Sequence, residues 1–109
     1  MQVLEIGLGC AMEYGPGKSA TVWRAYFPSS ELWFADVDAV CVAQHKAKLD
    51  AMQIQVVTGD QSSVETLHDW VNKTGGSFDV IIDDGGHTNE QIYNTFMVLF
   101  PHALKVQEP

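Results

Sequence analysis

Four short apolar runs recur along the chain, and each is followed within two residues by glycine or an acidic residue. The runs are Gln2–Ile6, Leu32–Ala35, Ile54–Val57 and Phe78–Ile82. Short, nearly continuous apolar runs are typical of strands whose two faces are both buried, as in parallel sheets. The pattern therefore predicts four buried strands.

Segments with helical features separate these runs. Ser19–Phe27 carries apolar residues at mostly helical spacing and is stopped by Pro28. Asp38 is the predicted N-cap of a second helix, which runs to about Met52. These two segments predict a helix after each of the first two strands.

Two capping boxes predict the remaining helices. The first, Ser62-Ser63-Val64-Glu65, pairs its outer residues and begins a helix that runs to about Lys73. The second, Thr88-Asn89-Glu90-Gln91, begins a helix through Leu99 that Pro101 interrupts or ends. Alternating strands and helices predict an α/β fold, a Rossmann-like parallel sheet with helices on both faces.

Candidate functional residues follow the strands, because ligands of open parallel sheets bind beyond the carboxyl ends of the strands. The residues at these positions are Gly7 and Gly9, then Asp36, then Asp60 and Gln61, and finally Asp83, Asp84 and His87. Gly7 and Gly9 indicate close approach of a ligand or, equally well, a plain tight turn. Asp36 has no evident structural role, which favours hydrogen bonds to a ribose diol over a solvated surface acid. Asp60 also suits an ordinary turn.

The segment Asp83-Asp84-Gly85-Gly86-His87 carries the most specific signal. Two adjacent carboxylates repel each other unless they have a partner, and Mg²⁺ is a partner that prefers carboxylate oxygens. An imidazole on the same loop suits a general base near neutral pH. The alternative is an exposed acidic turn with a histidine near a helix start. The position of the segment at the expected crevice favours a functional site.

Composition and charge narrow the range of partners. The chain has 109 residues and a formal net charge of −8. Such a charge argues against nonspecific binding to nucleic acid or to an anionic membrane. Apolar runs fall far short of the roughly 18 residues of a membrane span, and no secretory signal is expected. Cys10 and Cys41 are therefore expected to be free thiols in a reducing, cytoplasmic compartment.

The glycines do not match the common dinucleotide-binding pattern. Gly7-Leu8-Gly9 is followed by Cys10-Ala11-Met12, so Met12 stands where G-x-G-x-x-G requires its third glycine. A dehydrogenase-like nucleotide-binding fragment is therefore the weakest of the functional hypotheses.

The motifs together resemble a known family. VLEIGLG before a helix, a strand ending in FADVD, a strand leading to TGD, and FDVIIDDGGH are similar to class I S-adenosylmethionine-dependent methyltransferases. The stretch YGPG, the stretch WRAYFP and the DDGGH loop resemble the metal-dependent sugar and macrolide O-methyltransferase group, related to cephalosporin-hydroxylase-like proteins. The resemblance extends from Gln2 to about Leu104.

The resemblance implies a role for each candidate residue. Glu5, Gly7 and Gly9 would line the methionine part of S-adenosylmethionine, Asp36 would hold the ribose, and Asp60 with Gln61 would meet the adenine. Asp83 would shape the strand end beside the cofactor. Asp84 would be a ligand of Mg²⁺, and His87 would be the general base that deprotonates a substrate hydroxyl.

The resemblance also implies that residues 1–109 are one truncated domain, with four strands in the order 3-2-1-4 of a larger seven-stranded fold. The family's fifth strand and its acidic pair, which supplies further metal ligands, do not follow the fourth helix here. Two functions stay open: an O-methyltransferase acting on a hydroxyl of a small molecule such as a sugar or natural product, and a catalytically inactive cofactor-binding or interaction module. Without a fifth strand, the fourth strand becomes an apolar edge, which predicts a homodimer through that edge.

Overall fold

A computed structural model describes residues 1–10 and 15–105 of the chain. The described residues form four strands and five helices, with one helix after each strand except the second, which is followed by two. The strands are β1 (Gln2–Ile6), β2 (Glu31–Asp36), β3 (Ile54–Thr58) and β4 (Val80–Asp83). The helices are α1 (Lys18–Tyr26), α2 (Ala39–Gln44), α3 (Lys46–Ala51), α4 (Val64–Thr74) and α5 (Asn89–His102).

The strands form one parallel sheet in the order β3-β2-β1-β4, which confirms the predicted order. In register, Ile6 lies beside Ala35 of β2 on one side and beside Asp83 of β4 on the other. Asp36 at the end of β2 lies beside Thr58 at the end of β3. All four strands therefore end at one edge of the sheet.

Alternating strand residues fill two cores, one on each face of the sheet. Leu4 and Ile6 of β1 pack toward α4 and α5, whereas Val3 packs toward α1 and α3. The first core holds Leu4, Ile6, Ala35, Val57, Leu67, Trp70, Phe78, Val98, Leu99 and Ala103. The second holds Val3, Leu8, Ala20, Leu32, Phe34, Leu49 and Ile54. Burial on both faces explains why the strands read as continuous apolar runs.

The helix predicted from Asp38 to Met52 is two helices in the structure. Asp38 is the N-cap, as predicted, because its carboxylate accepts a hydrogen bond from the Cys41 amide at 3.0 Å. His45, with a ψ of 16°, leaves the helical conformation and separates α2 from α3. A ring nitrogen of His45 lies 2.9 Å from the carbonyl oxygen of Cys41, so the side chain competes for that backbone group.

The predicted capping box at Ser62 is wrong by one residue. The hydroxyl of Ser62 donates to the Asp60 carboxylate at 2.8 Å, so Ser63 caps α4 by accepting from the Thr66 amide. The capping box of Thr88 and Gln91 is confirmed. The last helix ends at His102, one residue after Pro101.

The cysteine expectation is also wrong, because the structure joins Cys10 and Cys41 in a disulfide. Cys10 follows the turn after β1, and Cys41 lies in α2, the helix after β2. Because β1 and β2 are neighbours, their ends bring the two Cα atoms to 6.1 Å, within disulfide range.

The segment after α5 reaches the outer side of the sheet beside β4. The Phe78 amide donates to the Ala103 carbonyl and the Lys105 amide donates to the Phe78 carbonyl, which creates a single parallel bridge between Phe78 and Leu104.

Across residues 1–10 and 15–105 no helix has the length and apolar character that crossing a membrane requires.

Candidate functional site

A cleft of about 970 Å³ opens at the carboxyl ends of the four strands. It brings together eight of the predicted site residues: Glu5, Gly7, Gly9, Asp36, Asp60, Gln61, Asp84 and His87. Five carboxylates line the cleft together with one lysine, Lys18. This balance favours a ligand that carries positive charge where it meets the acidic side.

The turn after β1 is fixed against both neighbouring strands. The Gly7 amide donates to the Ala35 carbonyl at 2.8 Å. The backbone of Gly7 has a φ of 101°, and a Cβ on this residue would lie 2.3 Å from the Asp84 carbonyl oxygen. Glycine is thus required here by packing between two loops, whatever else the turn binds.

Asp36 has a structural role that its sequence position did not reveal. Its carboxylate accepts from the Leu8 amide and from the Asp38 amide, each at 2.8 Å. The argument that Asp36 lacks a structural role is therefore wrong. The same carboxylate is half-buried at the cleft, so a hydrogen bond to a ribose remains a prediction.

Glu5 is a buried acidic residue that lines the cleft, and it is 5% exposed. One carboxylate oxygen accepts from the Ser19 hydroxyl, and the other accepts from the Trp23 indole N–H at 3.2 Å. Both partners belong to α1, so this carboxylate ties the helix to β1. Paired hydrogen bonds are what a buried carboxylate needs in order to stay in a protein interior.

Asp60 is exposed at the far side of the cleft, after β3. Hydrogen bonds from the Ser62 backbone amide and, secondly, from the Ser62 hydroxyl lower the pKa of the Asp60 carboxyl below 3.8. Asp60 is therefore an anion at neutral pH, able to accept hydrogen bonds from a ligand.

Asp83 and Asp84 diverge, although they are adjacent in sequence. Asp84 lines the cleft, and its amide donates to the Ile6 carbonyl at 2.9 Å. Asp83 instead lines a smaller groove beside α5, and its carboxylate accepts from the Gln61 side chain and the Gly85 amide. Asp83 is thus the one predicted site residue that does not line the cleft, and its role toward a cofactor stays a prediction.

His87 and Asp84 are exposed on one loop at the mouth of the cleft. Within residues 1–10 and 15–105, neither side chain makes a hydrogen bond or an ion pair with another described group. Both are therefore available to a ligand. The described residues contain no group of three His, Cys, Asp or Glu side chains placed to hold a metal ion. Asp84 thus offers a single carboxylate to a cation.

Several residues that line the cleft were not predicted from the sequence, among them Val37, Val22 and Lys18. Val37 is 71% exposed beside Asp36, and Val22 and Lys18 line the cleft from α1. The sequence could have indicated Val37, because this apolar residue directly follows the aspartate that ends β2. Lys18 and Val22 lacked such a signal, because their position depends on how α1 packs on the sheet.

The chain is similar in sequence to O-methyltransferases. No protein-family model matches it. It is 36% identical over 105 residues to mycinamicin VI 2''-O-methyltransferase from Micromonospora griseorubida and 34% identical over 105 residues to demethylmacrocin O-methyltransferase from Streptomyces fradiae. These alignments cover 94% of this chain, but 24% and 25% of the two enzymes.

Solved structures give the same result. The MycE methyltransferase from the mycinamycin biosynthetic pathway, in complex with Mg and SAH, matches with a TM-score of 0.74 at 34% identity, over 94% of this chain and 26% of that one. A MycE complex that also contains mycinamycin VI matches with a TM-score of 0.73 at 36% identity, over 94% of this chain and 25% of that one.

The matches confirm the resemblance found in the sequence, and the chain spans about a quarter of the length of the relatives it matches. They extend over both the strand-end motifs and the four-stranded sheet that positions them. The chain is a homologue of one segment of the sugar and macrolide O-methyltransferases and has their Rossmann-like fold.

Proposed function

We propose that residues 1–109 are the S-adenosylmethionine-binding unit of an O-methyltransferase that acts on a hydroxyl of a small molecule, such as a sugar or natural product. The observation that carries this proposal is the acidic cleft, to which all four strand ends contribute. Two findings support it: the relatives are O-methyltransferases, and the matched MycE structures contain SAH.

The charge of the cleft suits this cofactor. S-adenosylmethionine carries its transferable methyl group on a positively charged sulfonium. Glu5, Gly7 and Gly9 are proposed to contact its methionine part, Asp36 its ribose, and Asp60 its adenine. The carboxylates of Asp36 and Asp60 are both placed to accept hydrogen bonds, the first half-buried and the second exposed with a lowered pKa.

His87 is the proposed general base. Its exposed imidazole lies at the mouth of the cleft, where it would take the proton of an acceptor hydroxyl and leave an oxygen nucleophile. The matched MycE structures contain Mg, and Asp84 is the proposed ligand for such an ion. Because no group of three His, Cys, Asp or Glu side chains among the described residues could hold the ion, Asp84 would need further ligands from outside them.

The sequence also leaves open a second candidate function, a catalytically inactive cofactor-binding or interaction module. A catalytically inactive module would retain the cofactor cleft without the residues that bind metal and acceptor. The two functions share cofactor binding and differ in methyl transfer to an acceptor.

Calorimetry with S-adenosylhomocysteine tests the shared part. We expect Asp36→Asn to weaken binding roughly tenfold or more, because it removes the charge of a hydrogen-bond acceptor. Asp69→Asn is the matched control, because Asp69 makes only a surface ion pair with Lys73. If the wild-type chain binds neither this ligand nor S-adenosylmethionine, both candidate functions are wrong.

Methyl transfer separates the two functions once binding is established. The chain is incubated with labelled S-adenosylmethionine, Mg²⁺ and polyhydroxylated acceptors, with His87→Ala as the matched inactive variant. Transfer that His87→Ala abolishes supports the enzyme. Binding without transfer supports the inactive module.

We also propose a homodimer through the outer edge of β4. Within residues 1–10 and 15–105, β4 is the last strand on its side of the sheet, and the apolar groove beside it is lined by Ile81, Ile92, Phe96, Leu99, Phe100 and Leu104. Light scattering should show a dimer that Phe96→Lys weakens, while Tyr26→Lys, at an exposed position on α1, leaves it intact. A wild-type monomer at high concentration would contradict this proposal.

A cytoplasmic location is likewise proposed, for a chain that uses a small-molecule cofactor. Cytosolic thioredoxin and glutathione keep most protein thiols reduced, so in that compartment the Cys10–Cys41 disulfide of the structure should be found reduced when the cells are alkylated before lysis. Recovery of an intact Cys10–Cys41 disulfide under that treatment would indicate an oxidising compartment instead.

A further inference from the structure

The side-chain amide of Gln61 lies beneath the loop that carries the proposed catalytic groups. We call this segment, Asp84-Gly85-Gly86-His87, the 84–87 loop. The Gly86 amide donates to Gln61 Oε1 at 2.6 Å, across 25 residues of sequence. Gln61 is only 6% exposed, so this bond is largely shielded from water. Its shielding makes it a firm attachment point for the loop.

The other end of the same amide is anchored on two elements. Gln61 Nε2 donates to the Thr95 hydroxyl of α5 at 2.9 Å and to the Asp83 carboxylate of β4 at 3.2 Å. Thr95 is itself buried, at 4% exposure. The amide therefore links three parts of the chain: α5, the end of β4 and the 84–87 loop.

Packing reinforces these hydrogen bonds. A Cβ on Gly85 would lie 2.3 Å from Gln61 Oε1 and 2.9 Å from a methyl group of Ile6. The loop backbone thus rests directly on the Gln61 amide and on β1. A loop seated this closely takes its position from the side chain below it.

We propose that Gln61 is a positioning residue, which holds the 84–87 loop so that Asp84 and His87 face the cleft. The roles of Asp84 and His87 rest on the proposed function, whereas the support of the loop does not. This assignment differs from the adenine contact predicted for Gln61, because the described structure already engages both ends of its amide.

Amide hydrogen exchange measured by NMR tests the proposal on the 109-residue chain. The quantity measured is the exchange rate of the Gly86 amide relative to that of Phe34 in the buried centre of the sheet. Gln61→Leu removes the acceptor and should raise this ratio roughly tenfold. Thr95→Val keeps the shape of the side chain, removes its hydroxyl and should raise the ratio roughly threefold, whereas Thr95→Ser restores it.

The outcomes are distinct. An unchanged ratio in both Gln61→Leu and Thr95→Val overturns the proposal, and so does equal acceleration at Gly86 and Phe34, since that reports only lost global stability. If Gln61→Leu weakens S-adenosylhomocysteine binding while the exchange ratio stays at its wild-type value, Gln61 serves the cofactor instead. A wild-type chain that does not bind this ligand defeats the proposed function, and the exchange comparison still decides the role of Gln61.

Discussion

Replacing Gly7 by alanine should disrupt the contact between the turns after β1 and β4. Gly7 has a φ of 101°, where an L-residue pays about 1–2 kcal/mol. The added Cβ would also lie 2.3 Å from the Asp84 carbonyl oxygen, a backbone atom that cannot rotate away, in a residue whose own amide donates to the Ile6 carbonyl. Overpacking of this kind typically costs about 1–3 kcal/mol. We therefore expect Gly7→Ala to lower the free energy of unfolding by about 2–5 kcal/mol.

Gly75→Ala is the matched control for this prediction. Gly75 has a similar φ of 84°, but a Cβ there would meet no atom within 4 Å, so only the backbone cost of about 1–2 kcal/mol applies. Urea denaturation of both variants, followed by circular dichroism, gives the two free energies. Equal losses in Gly7→Ala and Gly75→Ala would refute the steric argument and leave backbone conformation as the whole effect.

Three further substitutions test the disulfide, the hydrogen bond to Asp60 and the packing of the core. Cys41→Ser removes a cross-link between residues 31 apart and should destabilise the oxidised chain by up to about 4 kcal/mol in urea denaturation; an unchanged midpoint would mean that the disulfide does not form in solution. Ser62→Ala should raise the pKa of Asp60, as followed by NMR titration, because it removes one of the hydrogen bonds to the carboxylate. The lowered pKa of Asp60 in the folded state contributes stability above its unfolded pKa, and this contribution disappears as the pH falls through the folded pKa. Leu67→Ala, at a fully buried position, should cost about 3–5 kcal/mol by thermal or chemical unfolding, whereas a loss below about 1 kcal/mol would contradict the packing described for the core.

The sheet was predictable because its information is local. Each of the four apolar runs is short and is followed within two residues by glycine or aspartate, and burial on both faces leaves little ambiguity about strand type. The carboxyl ends of parallel strands lie on the same side of the sheet, so the gathering of Asp36, Asp60 and Asp84 at one cleft followed from the same pattern, whereas Glu5, inside β1, was implied only by the family resemblance.

The details that the sequence did not predict depend on contacts between distant residues. The N-cap of α4 is Ser63 and not the predicted Ser62, because the Ser62 hydroxyl already donates to the Asp60 carboxylate. Cys10 and Cys41 pair because β1 and β2 are neighbours, which cysteine spacing alone does not disclose. Neither contact leaves a periodic signal in the sequence.

The two adjacent aspartates show how a plausible electrostatic argument changes once geometry is known. Repulsion between Asp83 and Asp84 predicted that the two carboxylates share a cation. In the structure, however, Asp83 lines the groove beside α5 and Asp84 lines the cleft. Asp83 obtains its partners from the Gln61 side chain and the Gly85 amide, without a metal. The two residues therefore have different roles: Asp83 helps to anchor the 84–87 loop, and Asp84 lies on that loop at the cleft. If Asp84 holds Mg²⁺ as proposed, its one carboxylate would be a single oxygen ligand, and the other ligands would have to come from groups beyond this pair.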